Sequence, residues 1–169
     1  MIHLNSPISV EQIDGLKVGD QIEISGRVLC GRDAVLPKLV ALLRKKDPII
    51  DAIGLKGAVI FHTAVSAAGI GPTTSNKIEI EESIPELAAA GVRIHIGKGS
   101  LGVQTVRALE KHGSIFAVTP PVSALFSHRT RSQKILAFAE EGMEALFELK
   151  VHRLPAVVAV AHGQNLFAK

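Results

Sequence analysis

The chain has 169 residues, 47% of them hydrophobic, and carries a formal net charge of only +3. This length and hydrophobic content are enough for a substantial core, so we predict a single domain over residues 1–169. The low net charge and the 4% aromatic content, with no Trp or Tyr, exclude the basic, aromatic-rich surface that single-stranded nucleic-acid binders use, and we expect no nucleic-acid partner.

Cysteine content and hydropathy predict the compartment. The single cysteine, Cys30, cannot form an intrachain disulfide, whereas a secreted domain of this size would more often carry several. The N-terminus lacks the basic start and apolar run of a signal peptide, and no apolar stretch approaches the roughly 18 residues that span a bilayer. We therefore expect a cytoplasmic protein with no membrane partner.

The first part of the chain predicts a strand, a helix and a second strand. Residues 21–29 alternate between apolar and polar side chains, which is typical of a half-buried strand. Apolar residues then recur at helical spacing as far as the basic triplet 44–46, and Asp33 is placed to cap that helix. Arg32 stands where the strand turns into the helix, a position from which it can face a ligand. Residues 58–63 predict a buried strand.

Two loops follow that are suited to binding an anion. Residues 71–77, Gly-Pro-Thr-Thr-Ser-Asn-Lys, offer three hydroxyl groups, an amide and a cation. Residues 97–100, Gly-Lys-Gly-Ser, contain two glycines that let the backbone approach a ligand while Lys98 reaches across it. A capping box at 83–86 predicts a short helix between the two loops. Two cationic loops indicate a substrate with more than one negative group.

The last part of the chain predicts one helix and three strands. Residues 103–112 are helical with Gly113 as the stop, and 115–118 form a strand. Residues 133–139 have weak helical character, and Pro155 separates two closing strands at 146–151 and 156–160. The interleaved order predicts an α/β domain with a mixed sheet.

Several segments, taken in order, match one family. They are 15–20 (Gly-Leu-Lys-Val-Gly-Asp), Ser25-Gly26 with 32–34 (Arg-Asp-Ala), 71–75 (Gly-Pro-Thr-Thr-Ser), 96–99 (Ile-Gly-Lys-Gly), and 142–145 (Gly-Met-Glu-Ala) leading to 155–158 (Pro-Ala-Val-Val). From about residue 15 to the end, the chain resembles the beta subunit, or C-terminal domain, of the iron-sulfur class I fumarate hydratases and L(+)-tartrate dehydratases.

The resemblance implies a swivelling β/β/α domain that closes over a [4Fe-4S] cluster held by three cysteines of a separate alpha subunit. The single cysteine of this chain cannot hold such a cluster, because ligation takes three or four thiolates. The resemblance therefore implies half of an enzyme that works with an alpha subunit, in a higher oligomer such as a dimer of heterodimers.

The implied reaction is reversible loss of water from a 2-hydroxydicarboxylate, either malate to fumarate or L-tartrate to oxaloacetate. By resemblance, Thr73 is the first candidate for the base that removes the proton, and Thr74 is the second. The residues implied to bind the substrate are Arg32, Asp33, Lys77, Gly97 and Lys98.

Four departures from the family pattern leave the substrate open. Lys77 stands where the family usually has arginine, Leu36 where histidine is common, 64–65 (Ala-Val) where Gly-Pro is frequent, and 120–122 (Pro-Pro-Val) where Gly-Gly-Ala is usual. They keep open a second interpretation, a non-catalytic or regulatory dicarboxylate-binding module that retains the swivelling fold.

Several of these residues also have purely structural interpretations. Arg32 and Asp33 can form only a helix cap with a local ion pair, and Cys30 suits a small buried strand residue. The seven histidines show no metal-binding spacing, so we predict no metal site within the chain. His62 and His95 fall at strand ends, where packing in the core or at a sheet edge is the default expectation.

Overall fold

A computed structural model describes residues 1–66, 69–73, 77–120 and 123–168, with the backbone alone described for residues 66, 69–73, 77–80 and 123. The architecture is mixed α/β. The strands are β1 (Ile2–Asn5), β2 (Gln21–Cys30), β3 (Val59–Phe61), β4 (Thr63–Ser66), β5 (Gly69–Thr73), β6 (Ile94–Gly97), β7 (Ile115–Val118), β8 (Thr130–Ala137), β9 (Leu146–Ala161) and β10 (Gln164–Asn165). The helices are α1 (Val10–Asp14), α2 (Leu36–Arg44), α3 (Ile49–Ile53), α4 (Lys77–Ala89), α5 (Val103–His112) and α6 (Ser123–Arg129), with 3₁₀ turns over Ala139–Glu144.

Five strands close into a barrel-like ring. β2, β3, β6 and β7 pair in parallel in that order, and the long strand β9 runs antiparallel to both β7 and β2. The pairing of β2 with β9 shifts register between Ile24 and Gly26, where Gly26 adopts a φ of 100° that favours glycine. β1 and β8 extend the sheet beside β2 and β9. The ring leaves the carboxyl ends of four parallel strands together at one edge.

The core lies on both sides of the ring. Alternate strand residues such as Ile22, Ile24, Phe61 and Ile96 are buried together in one cluster, as the period of two in a strand requires. The other face is covered by α2 and α3 beside β3 and by α4 and α5 beside β7 and β9. Among the described residues, no helix is long and apolar enough to span a membrane.

Part of the predicted secondary structure is confirmed. The strand at 21–29 is found as β2, and helix 103–112 and strand 115–118 have the predicted bounds. The cap at Asp33 is wrong, because α2 begins at Leu36 after Val35 and receives no side-chain cap. The capping box at 83–86 is also wrong, because α4 begins at Lys77 and continues through Pro85.

Two predictions for the C-terminal part fail because strand pairing overrides local preference. Residues 130–137 form strand β8 along β9 in place of the predicted weak helix. β9 is continuous through Pro155, which lies opposite Glu23, because Leu154 and Ala156 on either side keep their pairing with β2. A single missing backbone donor is tolerated when the neighbouring pairs hold the register.

Candidate active site

The candidate site lies at the carboxyl ends of the parallel strands. The registers align Cys30, Phe61, Ile96 and Ala117 in one row across β2, β3, β6 and β7. Two positions beyond this row stand Arg32, Thr63, Lys98 and Thr119, one after each strand. In open α/β sheets, ligands bind beyond the carboxyl ends of the strands, where loops from neighbouring strands converge. The topology therefore brings two of the predicted cations to one edge.

The hairpin of β4 and β5 brings the predicted base to the same edge. β4 starts at Thr63, directly after β3 and His62, and its register pairs Thr63 with Thr73. The backbone of Thr73 therefore lies beside Thr63, just beyond the carboxyl end of β3. α4 then begins at Lys77. Thr74 lies outside the described residues, and the roles of all three residues stay predictions.

Arg32 is held in place by Glu144. Its Nε donates to both carboxylate oxygens of Glu144, at 2.9 and 2.7 Å, and its Nη2 also donates to that carboxylate. The backbone carbonyl of Arg32 accepts the N–H groups of Val35 and Leu36, which fixes the turn into α2. Asp33 Oδ1 lies 3.8 Å from Arg32 Nε, within ion-pair range but beyond hydrogen-bond range. Within the part of the chain that is described, Nη1 of Arg32 has no hydrogen bond and can receive an anion.

The turn after β6 presents Lys98 to solvent. Gly97 is needed here because an added Cβ would lie 3.1 and 3.2 Å from two ring atoms of Phe116, and Gly99 has a φ of 84°. Glu81 of α4 accepts the backbone N–H of Gly102 at 2.5 Å, which ties the turn to α4. Lys98 is exposed and forms no ion pair with any described residue. Its charge is therefore available to a ligand.

A buried histidine pair lies at the start of the β4–β5 hairpin and close to the turn after β6. His62 Nε2 and His95 Nδ1 are 3.1 Å apart, and the two residues are 1% and 0% exposed. Burial lowers the pKa of His62 to about 3 and that of His95 well below its usual value, so both rings are neutral at neutral pH. His62 directly precedes Thr63, and His95 lies two residues before Gly97. The sequence expectation of buried packing for the two histidines is confirmed.

The residues of this chain do not suit an iron-sulfur cluster. Cys30 is fully buried inside the ring, and burial strongly raises the pKa of its thiol, which opposes the thiolate that a cluster needs. No group of three or more His, Cys, Asp or Glu side chains in the described ranges is arranged to hold a metal ion.

Sequence reasoning missed two features of this edge. Glu144 was noted only as part of the Gly-Met-Glu-Ala segment, and its bond to Arg32 joins residues 112 positions apart. The His62–His95 bond joins residues 33 positions apart. In the sequence, one observation could have indicated a role for Glu144: it is an acidic residue within a segment that matches the family pattern. Nothing local pairs the two histidines before the register of β3 with β6 is known.

The fold and this edge define a mixed α/β protein with a candidate site for a carboxylate-bearing ligand. Comparison with known proteins assigns the family: the model of the fumarase C-terminus family matches residues 1–169. The chain therefore belongs to the fumarase C-terminus family.

Curated relatives carry two kinds of name. The chain is 32% identical to a putative fumarate hydratase class I of Geobacillus stearothermophilus, over 98% of the chain but only 33% of that protein. It is 29% identical to the L(+)-tartrate dehydratase subunit beta of Escherichia coli K12, over 98% of the chain and 86% of that subunit. A putative L(+)-tartrate dehydratase subunit beta of Methanocaldococcus jannaschii is 25% identical, over 95% and 88%. The chain thus spans about a third of the first relative and most of the other two.

Proposed function

We propose that this chain is the beta subunit of a heteromeric [4Fe-4S]-dependent hydro-lyase, which adds or removes water at a 2-hydroxydicarboxylate. One observation carries the proposal: Arg32, Lys98 and the hairpin that contains Thr73 all follow parallel strands at the same edge. The names of the relatives, fumarate hydratase class I and L(+)-tartrate dehydratase subunit beta, supply the two substrate candidates, malate/fumarate and L-tartrate/oxaloacetate. We also propose that this chain is a swivelling β/β/α domain, which moves so that this edge closes against an alpha subunit.

In this proposal, cations of the chain hold the substrate carboxylates. Lys98 is exposed and unpaired among the described residues, while Arg32 keeps Nη1 available beside its bonds to Glu144. A proton next to a carboxylate becomes easier to remove when cations stabilise the charge that develops on that carboxylate. Lys77, at the start of α4, is the third proposed cation.

Thr73 is the proposed proton acceptor, with Thr74 as the second candidate. A threonine hydroxyl is a weak base in water, so the role requires nearby cations and the exclusion of solvent. The pairing of Thr73 with Thr63 supports the proposal, since it brings the backbone of Thr73 to the carboxyl end of β3. With its hydroxyl proton lost to solvent and the alkoxide stabilised by the nearby cations, Thr73 would take the proton from the carbon next to the carboxylate that the cations hold, which restores its neutral hydroxyl.

The cluster is proposed to belong to the alpha subunit, because Cys30 is buried and described residues offer no metal-binding group. An open iron of such a cluster supplies a Lewis acid for the substrate hydroxyl. We assign no residue of this chain to that part of the reaction.

The test is anaerobic reconstitution with a three-cysteine alpha partner, followed by assays on malate, fumarate and both tartrate isomers. The proposal predicts turnover of at least one of these, and none by this chain alone. A complex whose cluster is intact and that turns over none of them would overturn the hydro-lyase proposal.

The second candidate function is a non-catalytic dicarboxylate-binding module. The specific observation that favours it is the closed Arg32–Glu144 pair, which uses two nitrogens of the arginine without a ligand. Calorimetry with malate separates the two functions: binding that weakens in the Lys98→Met variant, without turnover in any complex, identifies the module.

A further inference from the structure

The His62–His95 pair lies at the start of the β4–β5 hairpin and close to the turn after β6. In β6, Ile94 and Ile96 are buried in the cluster inside the ring, so His95 faces the outer side of the sheet. His62 follows Phe61, which is also in the inner cluster, and so faces the same outer side. The two ring centroids are 5.4 Å apart, and the two residues stand one position before Thr63 and two positions before Gly97.

Backbone contacts connect the start of the β4–β5 hairpin, where His62 lies, to the turn after β6. The N–H of His62 donates to the carbonyl of Ile96 at 2.9 Å, which is a main-chain bond from the start of the hairpin to the residue before Gly97. The Cβ of His62 would lie 3.9 Å from a Cβ added to Gly97. The backbone that carries the His62 ring therefore lies directly against the turn that carries Lys98, one residue before the Thr63–Thr73 pair.

Each ring of the pair has a second nitrogen, which does not take part in the bond between the rings. In a neutral pair, one ring donates its N–H to the other, which leaves His62 Nδ1 and His95 Nε2 as a remaining donor and a remaining acceptor. Both atoms are buried, and neither has a hydrogen-bond partner in the part of the chain that the structure describes. Buried polar atoms without partners oppose folding, and such groups in native proteins call for a specific explanation. Two apolar side chains would fill the same space without this cost.

We propose that the His62–His95 pair is a positioning device that holds the Thr63–Thr73 hairpin and the Gly97–Lys98 turn at the spacing a dicarboxylate requires. The directional bond between the two rings adds to the backbone pairing of β3 with β6 and orients the chain where the hairpin and the turn leave these strands, which apolar packing does not specify as tightly. Misplacing reacting groups by about 1 Å can cost about 100-fold in rate. The identity of the ligand, a dicarboxylate, rests on the proposed function. The positioning role itself rests on the observed contacts of the two histidines.

The test compares two double variants. His62→Leu with His95→Leu removes the bond together with both unpartnered nitrogens, so the melting temperature should stay within about 3 °C of wild type or rise. His62→Gln with His95→Asn is the matched control, because the two amides place polar atoms near the positions of Nε2 and Nδ1.

Three readouts are measured on both variants: melting temperature, amide protection factors at positions 62 and 97 by hydrogen exchange, and kcat and KM of the complex with the alpha partner. We expect the leucine variant to lose at least tenfold in both protection factors and in kcat, with its melting temperature maintained. The Gln/Asn control should stay within about threefold of wild type. A purely structural role would lower the melting temperature together with kcat. A leucine variant that keeps its melting temperature but loses amide protection and kcat therefore supports the positioning role.

The outcomes are separable from failure of the proposed function. If the wild-type complex shows no turnover, the hydro-lyase proposal fails, and the protection factors alone decide the positioning role. Protection at positions 62 and 97 within twofold of wild type in the leucine variant would overturn it. If that variant does not fold, His95→Asn is compared with His95→Gln, whose longer side chain displaces the amide. Equal protection in these two single variants would overturn the proposal.

Discussion

Arg32 differs from other surface arginines of this chain because it combines a fixed geometry with a position at the carboxyl edge. Its side chain is 27% exposed and binds both oxygens of Glu144. Arg44 makes the same kind of bond to Glu86, but it lies at the C-terminal end of α2 and is 69% exposed. The two pairs therefore share their chemistry and differ in their distance from the candidate site, which makes Arg44 an internal control.

The Arg32→Lys variant should raise KM for the dicarboxylate by about 10- to 100-fold, because lysine cannot keep the two-pronged contact with Glu144 while binding a second carboxylate. The Arg44→Lys variant should leave KM within twofold. Steady-state kinetics of the reconstituted complex provide the measurement. Equal effects of the two substitutions would show that Arg32 has no special role in binding the substrate.

Thr73→Ala should lower kcat by about 10²- to 10⁴-fold, because this is the usual cost of losing a positioned general base. Thr73→Ser retains a hydroxyl and should recover most of the rate. Single-turnover kinetics with malate measure the chemical step, and calorimetry should show nearly unchanged malate binding. A Thr73→Ala variant with more than a tenth of the wild-type rate would remove Thr73 as the base, and the same assay on Thr74→Ala would then test the second candidate.

The turn after β6 depends on a glycine, because Gly97 has no side chain. Gly97 faces the ring of Phe116, and an added methyl group would approach two ring atoms at 3.1 and 3.2 Å. Since Phe116 is 2% exposed and belongs to the cluster under α4 and α5, its ring has little room to retreat. The contact therefore sets how closely the Lys98 turn lies against the sheet.

Gly97→Ala should lower the free energy of unfolding by about 1 to 3 kcal/mol, as overpacking of a core usually does. Phe116→Leu removes ring atoms near the added methyl group. The double variant should therefore be more stable than the sum of the two single effects predicts, by at least about 0.5 kcal/mol. Urea unfolding of the four proteins gives this coupling energy. Strict additivity would contradict the proposed contact.

Element predictions from sequence succeeded where one local pattern dominates. Helix α5 was predicted with its observed bounds, because apolar residues recur at helical spacing and Gly113 ends it with a φ of 67°. Strand β8 was missed because most of its side chains are exposed and show no alternation, and its strand character comes from pairing with β9. Helix α4 was predicted too short because buried Ile84, Leu87 and Ala88 stabilise a helix that contains Pro85.

The sequence indicated individual residues of the candidate site but not the bonds between them. Arg32 was predicted because it stands where a strand turns into a helix, and Lys98 because it lies between two glycines. The topology brings both to one edge, while their binding roles stay predictions. The partner of Arg32 was not predictable, since Glu144 lies after β8, a strand that the sequence did not indicate. The bond between His62 and His95 depends on the register of β3 with β6, which no local pattern specifies.

At the scale of the whole molecule, the buried histidines make folding sensitive to mild acid. Burial lowers the folded-state pKa of His62 to about 3 and that of His95 well below its ordinary value. The unfolded chain binds protons at these two positions below about pH 6.5, whereas the folded chain does not. The free energy of unfolding should therefore fall between pH 7 and pH 5, by about 2 kcal/mol on account of His62 and further in the same direction on account of His95. Urea unfolding at half-unit pH steps measures the slope.

The control is the same series on the His62→Leu, His95→Leu double variant, in which this loss should be absent. Glu23 and Glu86 contribute little to the slope over this range, because hydrogen bonds from Arg153 and Arg44 lower their pKa values from 4.5. The stability that those carboxylates contribute is present above about pH 4.5 and is lost only as pH falls further. Identical slopes for the variant and the wild type would contradict neutral burial of the pair.

We propose that one dicarboxylate binds across the carboxyl ends of β2, β3 and β6. A crystal structure of the complex with its alpha partner and malate would show whether it does. We expect one malate carboxylate within hydrogen-bond distance of Arg32 or Lys98, with the Thr73 hydroxyl facing the carbon that loses a proton. Malate bound elsewhere, for instance in the groove lined by Lys56 and Arg93, with the carboxyl edge empty, would contradict it.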